Sequence, residues 1–207
     1  YRAKSILNIM SKSKKPNILL IMPDQMRADC LSLEKHPVLK TPNIDAIGKG
    51  GTHFSNAYST CPSCIAARRS LLTGLYPSTH GIVGYKEGIP LETPTVTQYL
   101  KDAGYSTVIT GRYMHQSPAE EPYGFEKRIL GSTYIRTDDY AKYLEKETPA
   151  LGGIAGIGIS CNGREARAWP EKEEHHPTNW TIRQAKNMIR ESDEEKPLFL
   201  VTSFYAP

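Results

Sequence analysis

The chain has 207 residues, 39% hydrophobic and 23% charged, a globular composition with enough length for one sizeable core. Its net charge of +4, from 26 basic and 22 acidic residues, is too mild to argue for a nucleic-acid partner, although a local basic pocket for a small anion is compatible with it. No stretch approaches the roughly 18 apolar residues that a transmembrane segment needs, and four cysteines are too few for a disulfide scaffold.

The start, "YRAKSILNIMSKSKKPN", has no long apolar core, and residues 1–14 read as an N-terminal extension ahead of the region 15–207. "PNILLIMPDQ" holds a continuous apolar run from Ile18 to Met22, the pattern of a central parallel strand. "KTPNIDAIGKGG" predicts a helix, with Thr41 as N-cap, Pro42 at the first position and Gly50-Gly51 as the stop. Thr52 to Tyr58 reads as a short strand. "TCPSCIAARRSLLTG" follows, with Ala66, Ala67, Leu71 and Leu72 favouring a helix. "TPTVTQYLKDAGY" predicts another helix with Thr-Pro at its start, and "STVITG" a β-branched strand.

From Arg112 to His176 the chain is polar and rich in Pro and Gly, with a helix expected around Asp138 to Leu144. "LGGIAGIGIS" reads as a loop or close-packed strand, and no GxGxxG spacing follows a strand there. His175-His176 reads as solvated. Asn179-Trp180-Thr181 fits a glycosylation sequon, but at a helix start Asn179 is better read as a cap. "TNWTIRQAKNMIRES" is amphipathic, with Ile182, Ala185, Met188 and Ile189 on one face. Leu198 to Phe204 is the last strand, and it stops where a loop should follow. That suggests the N-terminal part of a longer protein. Strands alternating with helices give an α/β fold with a mostly parallel central sheet flanked by helices. Such sheets bind ligands beyond the carboxyl ends of their strands, here at Asp24-Gln25 and at Arg112 to His115.

Cys64 has several readings: half of a redox pair with Cys61, a metal ligand, an inert buried thiol or a nucleophile. Zinc lacks a second ligand pair, since Cys30 and Cys161 stand alone. Arg68 lies four residues after Cys64, so both project from one helix face. Cys64 would sit at a helix N-terminus, where the dipole favours negative charge. Nucleophile, guanidinium and helix end together make an oxyanion site, which redox chemistry does not need.

Cys64-Ile65-Ala66-Ala67-Arg68 resembles the signature Cys-x-Pro/Ala-x-Arg of the type I, formylglycine-dependent sulfatases of the alkaline phosphatase superfamily. "RSLLTG" continues the match. "KPNILLIMPDQMRADCL" is similar to that family's first strand and metal-binding loop, and "YLKDAGYSTVITGRYMH" to the segment before its Gly-Lys-x-His motif. "TPNIDAIGKGGTHFSNAY" and "KPLFLVTSFYAP" resemble further segments in family order. The resemblance implies an alkaline phosphatase/sulfatase-like fold and hydrolysis of an aryl or carbohydrate sulfate monoester. It implies that a formylglycine-generating maturation enzyme oxidises Cys64 to formylglycine. Hydrated, that aldehyde offers one hydroxyl to attack sulfur and a second whose deprotonation collapses the covalent sulfate ester. It also implies one divalent cation, Ca²⁺, near Asp24, Gln25 and residue 64. Arg68 would orient the formylglycine. Arg112 and His115 would contact sulfate, with His115 protonating the leaving oxygen. A periplasmic or secreted location follows from the resemblance alone.

The match departs at three places. Asp24-Gln25 stands where Asp-Asp is frequent, a variant shared with relatives that act on phosphonate and phosphate esters. Arg112 replaces the motif lysine, and His115 falls one residue late. The remaining metal ligands are expected outside the 207 residues, so this piece alone should lack sulfatase activity. The rival readings are a phosphonate monoester or phosphodiester hydrolase with the same nucleophile, a thiol-disulfide oxidoreductase using Cys61 and Cys64, and a non-catalytic binding domain.

Overall fold

The computed structural model describes residues 15–131, 138–159 and 164–205. The extension expected over 1–14 lies outside them, as do Cys161 and Pro207. The strands are β1 (Ile18–Met22), β2 (Ser106–Gly111), β3 (Lys127–Leu130) and β4 (Leu198–Ser203). They form one sheet in the order β1-β4-β2-β3, with every pair parallel. The helices are α1 (Pro42–Gly50), α2 (Cys64–Thr73), α3 (Pro77–His80), α4 (Val96–Asp102), α5 (Asp139–Glu147) and α6 (Pro177–Arg190). The expected α/β class holds.

Every residue of β4, and β2 from Thr107 onward, is buried, as central parallel strands require. Alternate side chains feed two cores. Ile109, Phe199 and Val201 pack with Leu72, Phe125 and Leu130 on one face. Val108, Leu198 and Leu200 meet Ala185 and Met188 of α6 on the other. The buried hydroxyl of Thr107 donates to Gly124 O at 2.7 Å, so its burial leaves no unmet donor. β1 is an edge strand with Leu19 and Ile21 about half exposed, and α1 buries no residue.

Several expectations need correction. Residues 52–58 form no strand, because no neighbouring strand pairs with them; Phe54 and Tyr58 are exposed. β3 carries the charged Lys127 and Arg128, so it lacks the apolar run that marks a strand. "LGGIAGIGI" forms short 3-10 turns at Pro149–Leu151 and Ile154–Ile157, neither a strand nor a plain loop. α4 begins two residues after Pro94: its cap is Thr95, in a capping box with Gln98. Thr41 is the N-cap of α1 as expected, but its side chain makes no bond to the helix backbone; its hydroxyl donates to Asp45 Oδ1 at 2.8 Å. α6 buries Trp180, Thr181, Ala185 and Met188, while Ile189 is exposed. Its inward face is turned toward Trp180, whose ring packs 5.1 Å from that of Tyr140. The cap of α6 is His176, not Asn179, whose amide donates to Glu173 O at 2.8 Å. His175 is not solvated: the Tyr143 hydroxyl lies 2.7 Å from its Nδ1 and Tyr140 donates to its carbonyl.

Candidate active site

Met22, Ser203, Gly111 and Leu130 share one register line across the sheet, so the chain leaves the four strands along a common edge. Asp24 and Arg112 follow directly beyond that edge, where ligands of parallel sheets bind. Gly111 has φ +85°, and a Cβ there would sit 2.1 Å from Ser203 O. Only glycine can turn so tightly against the neighbouring strand. That turn aims Arg112 across the sheet at Asp24.

α2 enters the same place from the side. Cys64 is its first residue and is half-buried; the preceding Ser63 makes no capping bond with its side chain. Arg68, one turn on, is 4% exposed and reaches Asp24 Oδ1 with Nη2 at 3.2 Å. Its Nη1 donates to Ser203 Oγ at 3.1 Å. Arg112, 1% exposed, pairs through Nη1 with Asp24 Oδ2. Its guanidinium also lies 5.6 Å from the centre of the Tyr205 ring. One carboxylate thus lies between two guanidiniums.

His115 closes the site. Its Nδ1 lies 3.4 Å from Cys64 Sγ and 3.3 Å from Arg112 Nη2, and its Nε2 lies 3.3 Å from Glu87 Oε1. Burial pushes its pKa down, Glu87 pushes it up, and the charge of Arg112 pushes it down again. With the net shift downward, the imidazole is neutral near neutral pH. Burial, then the charge of Arg112, depresses Arg68, against the pull of Asp24. The inner charges are therefore Arg68 and Arg112 against Asp24. A net positive charge at a helix N-terminus favours an anion.

The structure brings together Cys64, Arg68, Arg112, His115 and Asp24. Gln25 is exposed at φ 56°, beside the cluster in sequence but with no described contact to it. His53 and His80 lie elsewhere: His53 pairs with Glu34 at 2.8 Å, and His80 Nε2 meets Ser70 Oγ at 3.0 Å. Cys61 packs with Ile65, Ala66 and Ile82, and both Cys61 and Cys64 are free thiols.

Four contributors had no signal in the spacing. Ser203 holds Arg68. Glu87 meets His115. Gln116 donates to Ile65 O at 3.1 Å and His115 O at 3.0 Å, tying α2 to the His115 turn. Arg69 donates to Gln116 Oε1 at 2.8 Å and to Pro90 O at 3.1 Å, pinning the 86–90 loop. A cleft of about 570 Å³ opens beside His115, lined by Arg69, Lys86, Glu87, Tyr113 and Gln116 among others. It is large enough for a small organic group.

A family model described as Sulfatase matches residues 16–207. The chain is 37% identical over 209 residues to an arylsulfatase of Clostridium perfringens, a match that covers 93% of this chain and 43% of the relative. It is 30% identical over 202 residues to a choline-sulfatase of Rhizobium meliloti, covering 93% and 38%. The fold superposes on a phosphonate monoester hydrolase of Agrobacterium radiobacter with TM-score 0.76 at 24% identity, over 92% of this chain and 40% of that one. The fold is thus the alkaline phosphatase/sulfatase-like one, and the chain spans less than half the length of these relatives.

Proposed function

Because this chain belongs to the Sulfatase family over residues 16–207, we propose that the protein hydrolyses a sulfate monoester, aryl or carbohydrate, at Cys64 in its formylglycine form. The observation that carries this reading is the net positive, largely buried cluster around Cys64 at the start of α2. Formylglycine supplies, as its hydrate, a hydroxyl nucleophile on a carbon that bears a second hydroxyl. Arg68 and Arg112 offset the charge on the sulfate oxygens, and they do so from buried positions where their charge is poorly screened. His115 accepts a proton at Nδ1 from the group at position 64, rather than protonating the leaving oxygen. Its Nδ1 faces that position, whereas its Nε2 faces Glu87. The cleft beside His115 receives the organic part of the ester.

A Ca²⁺ ion held by Asp24, Gln25 and residue 64 would need about six to eight oxygen ligands in all. Among the described residues no group of three or more His, Cys, Asp or Glu side chains could hold a metal. Both Asp24 oxygens also face guanidiniums. Asp24 and Gln25, with residue 64, would hold part of that shell, and such a cation would help offset charge on the sulfate oxygens; the steps described here are those of Arg68, Arg112 and His115.

The test uses the protein made in its native host, where a maturation enzyme can act. Release of sulfate from an aryl sulfate should vanish in Cys64→Ala and persist in Cys61→Ser. Loss of function in Cys61→Ser, with a reversible Cys61–Cys64 disulfide in the parent, would favour a thiol-disulfide oxidoreductase instead. Faster turnover of a phosphonate monoester or phosphodiester than of the sulfate would move the substrate within the superfamily.

A further inference from the structure

A guanidinium has only N–H donors, so Nδ1 of His115, 3.3 Å from Arg112 Nη2, must turn its lone pair toward that group. The proton of the neutral ring is then on Nε2. Glu87 Oε1, 3.3 Å away, accepts it. The same oxygen accepts from the Tyr85 hydroxyl at 2.8 Å. The Tyr85 ring meets the imidazole edge-on, centroids 5.6 Å apart at 74°, and Tyr113 lies on another side at 5.4 Å. His115 itself has φ 55°, a left-handed conformation that a side-chain-bearing residue keeps only when its surroundings hold it there.

We propose that Glu87, braced by Tyr85, is a positioning residue that keeps His115 in its Nε2–H tautomer with Nδ1 aimed at position 64. The proposal rests on the reading of His115 as the base. It has a simple alternative, a surface carboxylate in incidental contact, since the Glu87 side chain is 61% exposed. That exposure also bounds the effect. Water can partly replace the carboxylate, and Arg112 continues to favour the same tautomer from the other side. The expected loss is therefore about tenfold, not the roughly 10⁴-fold seen when a buried orienting carboxylate is replaced and the imidazole takes the wrong tautomer.

Two readouts on protein from its native host decide it. With an aryl sulfate as probe, Glu87→Ala should lower kcat about tenfold with KM changed less than about twofold. Glu87→Gln, whose amide oxygen still accepts from Nε2–H, should recover most of the loss. Glu87→Ala should cost nothing further in a His115→Ala background. Nitrogen-15 NMR of the labelled imidazole should show the Nε2–H form in the parent and a mixture in Glu87→Ala. An unchanged tautomer in Glu87→Ala, or an equal kcat loss with and without His115, would overturn the proposal. If His115→Ala turned over like the parent, the base reading itself would fall, and the NMR comparison would still decide the role of Glu87.

Discussion

Asp24→Ala would remove the one carboxylate that two buried guanidiniums share. Deleting one partner of a buried ion pair leaves the other charge buried and unpaired, at a cost of about 3–5 kcal/mol. Here two cations lose their partner, Arg112 at 1% and Arg68 at 4% exposure, and each then faces the other's charge. Against that, Asp24 is 24% exposed, so water reaches the gap and screens it. The lower end of the range, about 3 kcal/mol, is the net expectation. For a chain of this size that lowers Tm by about 6–12 °C. Asp24→Asn keeps the shape but not the charge, so it should show most of the same loss. The assay is equilibrium urea unfolding with a chelator present throughout, so that a lost cation cannot supply the difference. Added sulfate should restore more stability to Asp24→Ala than to the parent, because an anion between the guanidiniums binds only the native state. A variant within about 0.5 kcal/mol of the parent, the size of an ordinary surface substitution, would refute the reasoning.

Gly111→Ala should be among the most damaging single changes, at about 3 kcal/mol or more, because its Cβ would meet Ser203 O at 2.1 Å on a residue with positive φ. Soluble yield and Tm would report it; near-parental values would show that the turn into Arg112 can relax. His80 has its pKa lowered from 6.5 by burial and by the charge of Arg69. Its unfolded form therefore binds the proton more readily. The stability tied to it is full above about pH 6.5 and is lost as pH falls toward the depressed folded value. Unfolding curves measured from neutral to mildly acid pH should slope less in His80→Gln than in the parent, and equal slopes would contradict the shift.

Much of the fold was legible where local chemistry and burial agree. The runs at Ser106–Gly111 and Leu198–Ser203 are apolar or β-branched because central parallel strands are covered on both faces; Ile18–Met22 is also a strand, but at the sheet edge and partly exposed rather than central as its apolar run suggested. Cys64 and Arg68 were placed on one helix face by their spacing, and the helix begins at Cys64 as expected. β3 escaped because an edge strand needs no apolar run, and Lys127-Arg128 hid it. The strand expected at 52–58 failed for the opposite reason: β-compatible residues form no strand without a neighbour. Arg112 shows the limit of composition most clearly. An isolated arginine reads as a surface charge, yet it lies 1% exposed because Asp24, far away in sequence, meets it across the sheet edge. Glu87, Gln116 and Ser203 join the site only through tertiary contacts, and no motif spacing encodes those.

The most direct test of the central claim is peptide mass spectrometry across Thr60 to Arg68, on protein purified from its native host. The account predicts a peptide lighter by about 18 Da at Cys64, the change from thiol to aldehyde. An unmodified Cys64 thiol, or a loss of about 2 Da through a Cys61–Cys64 disulfide, would contradict it.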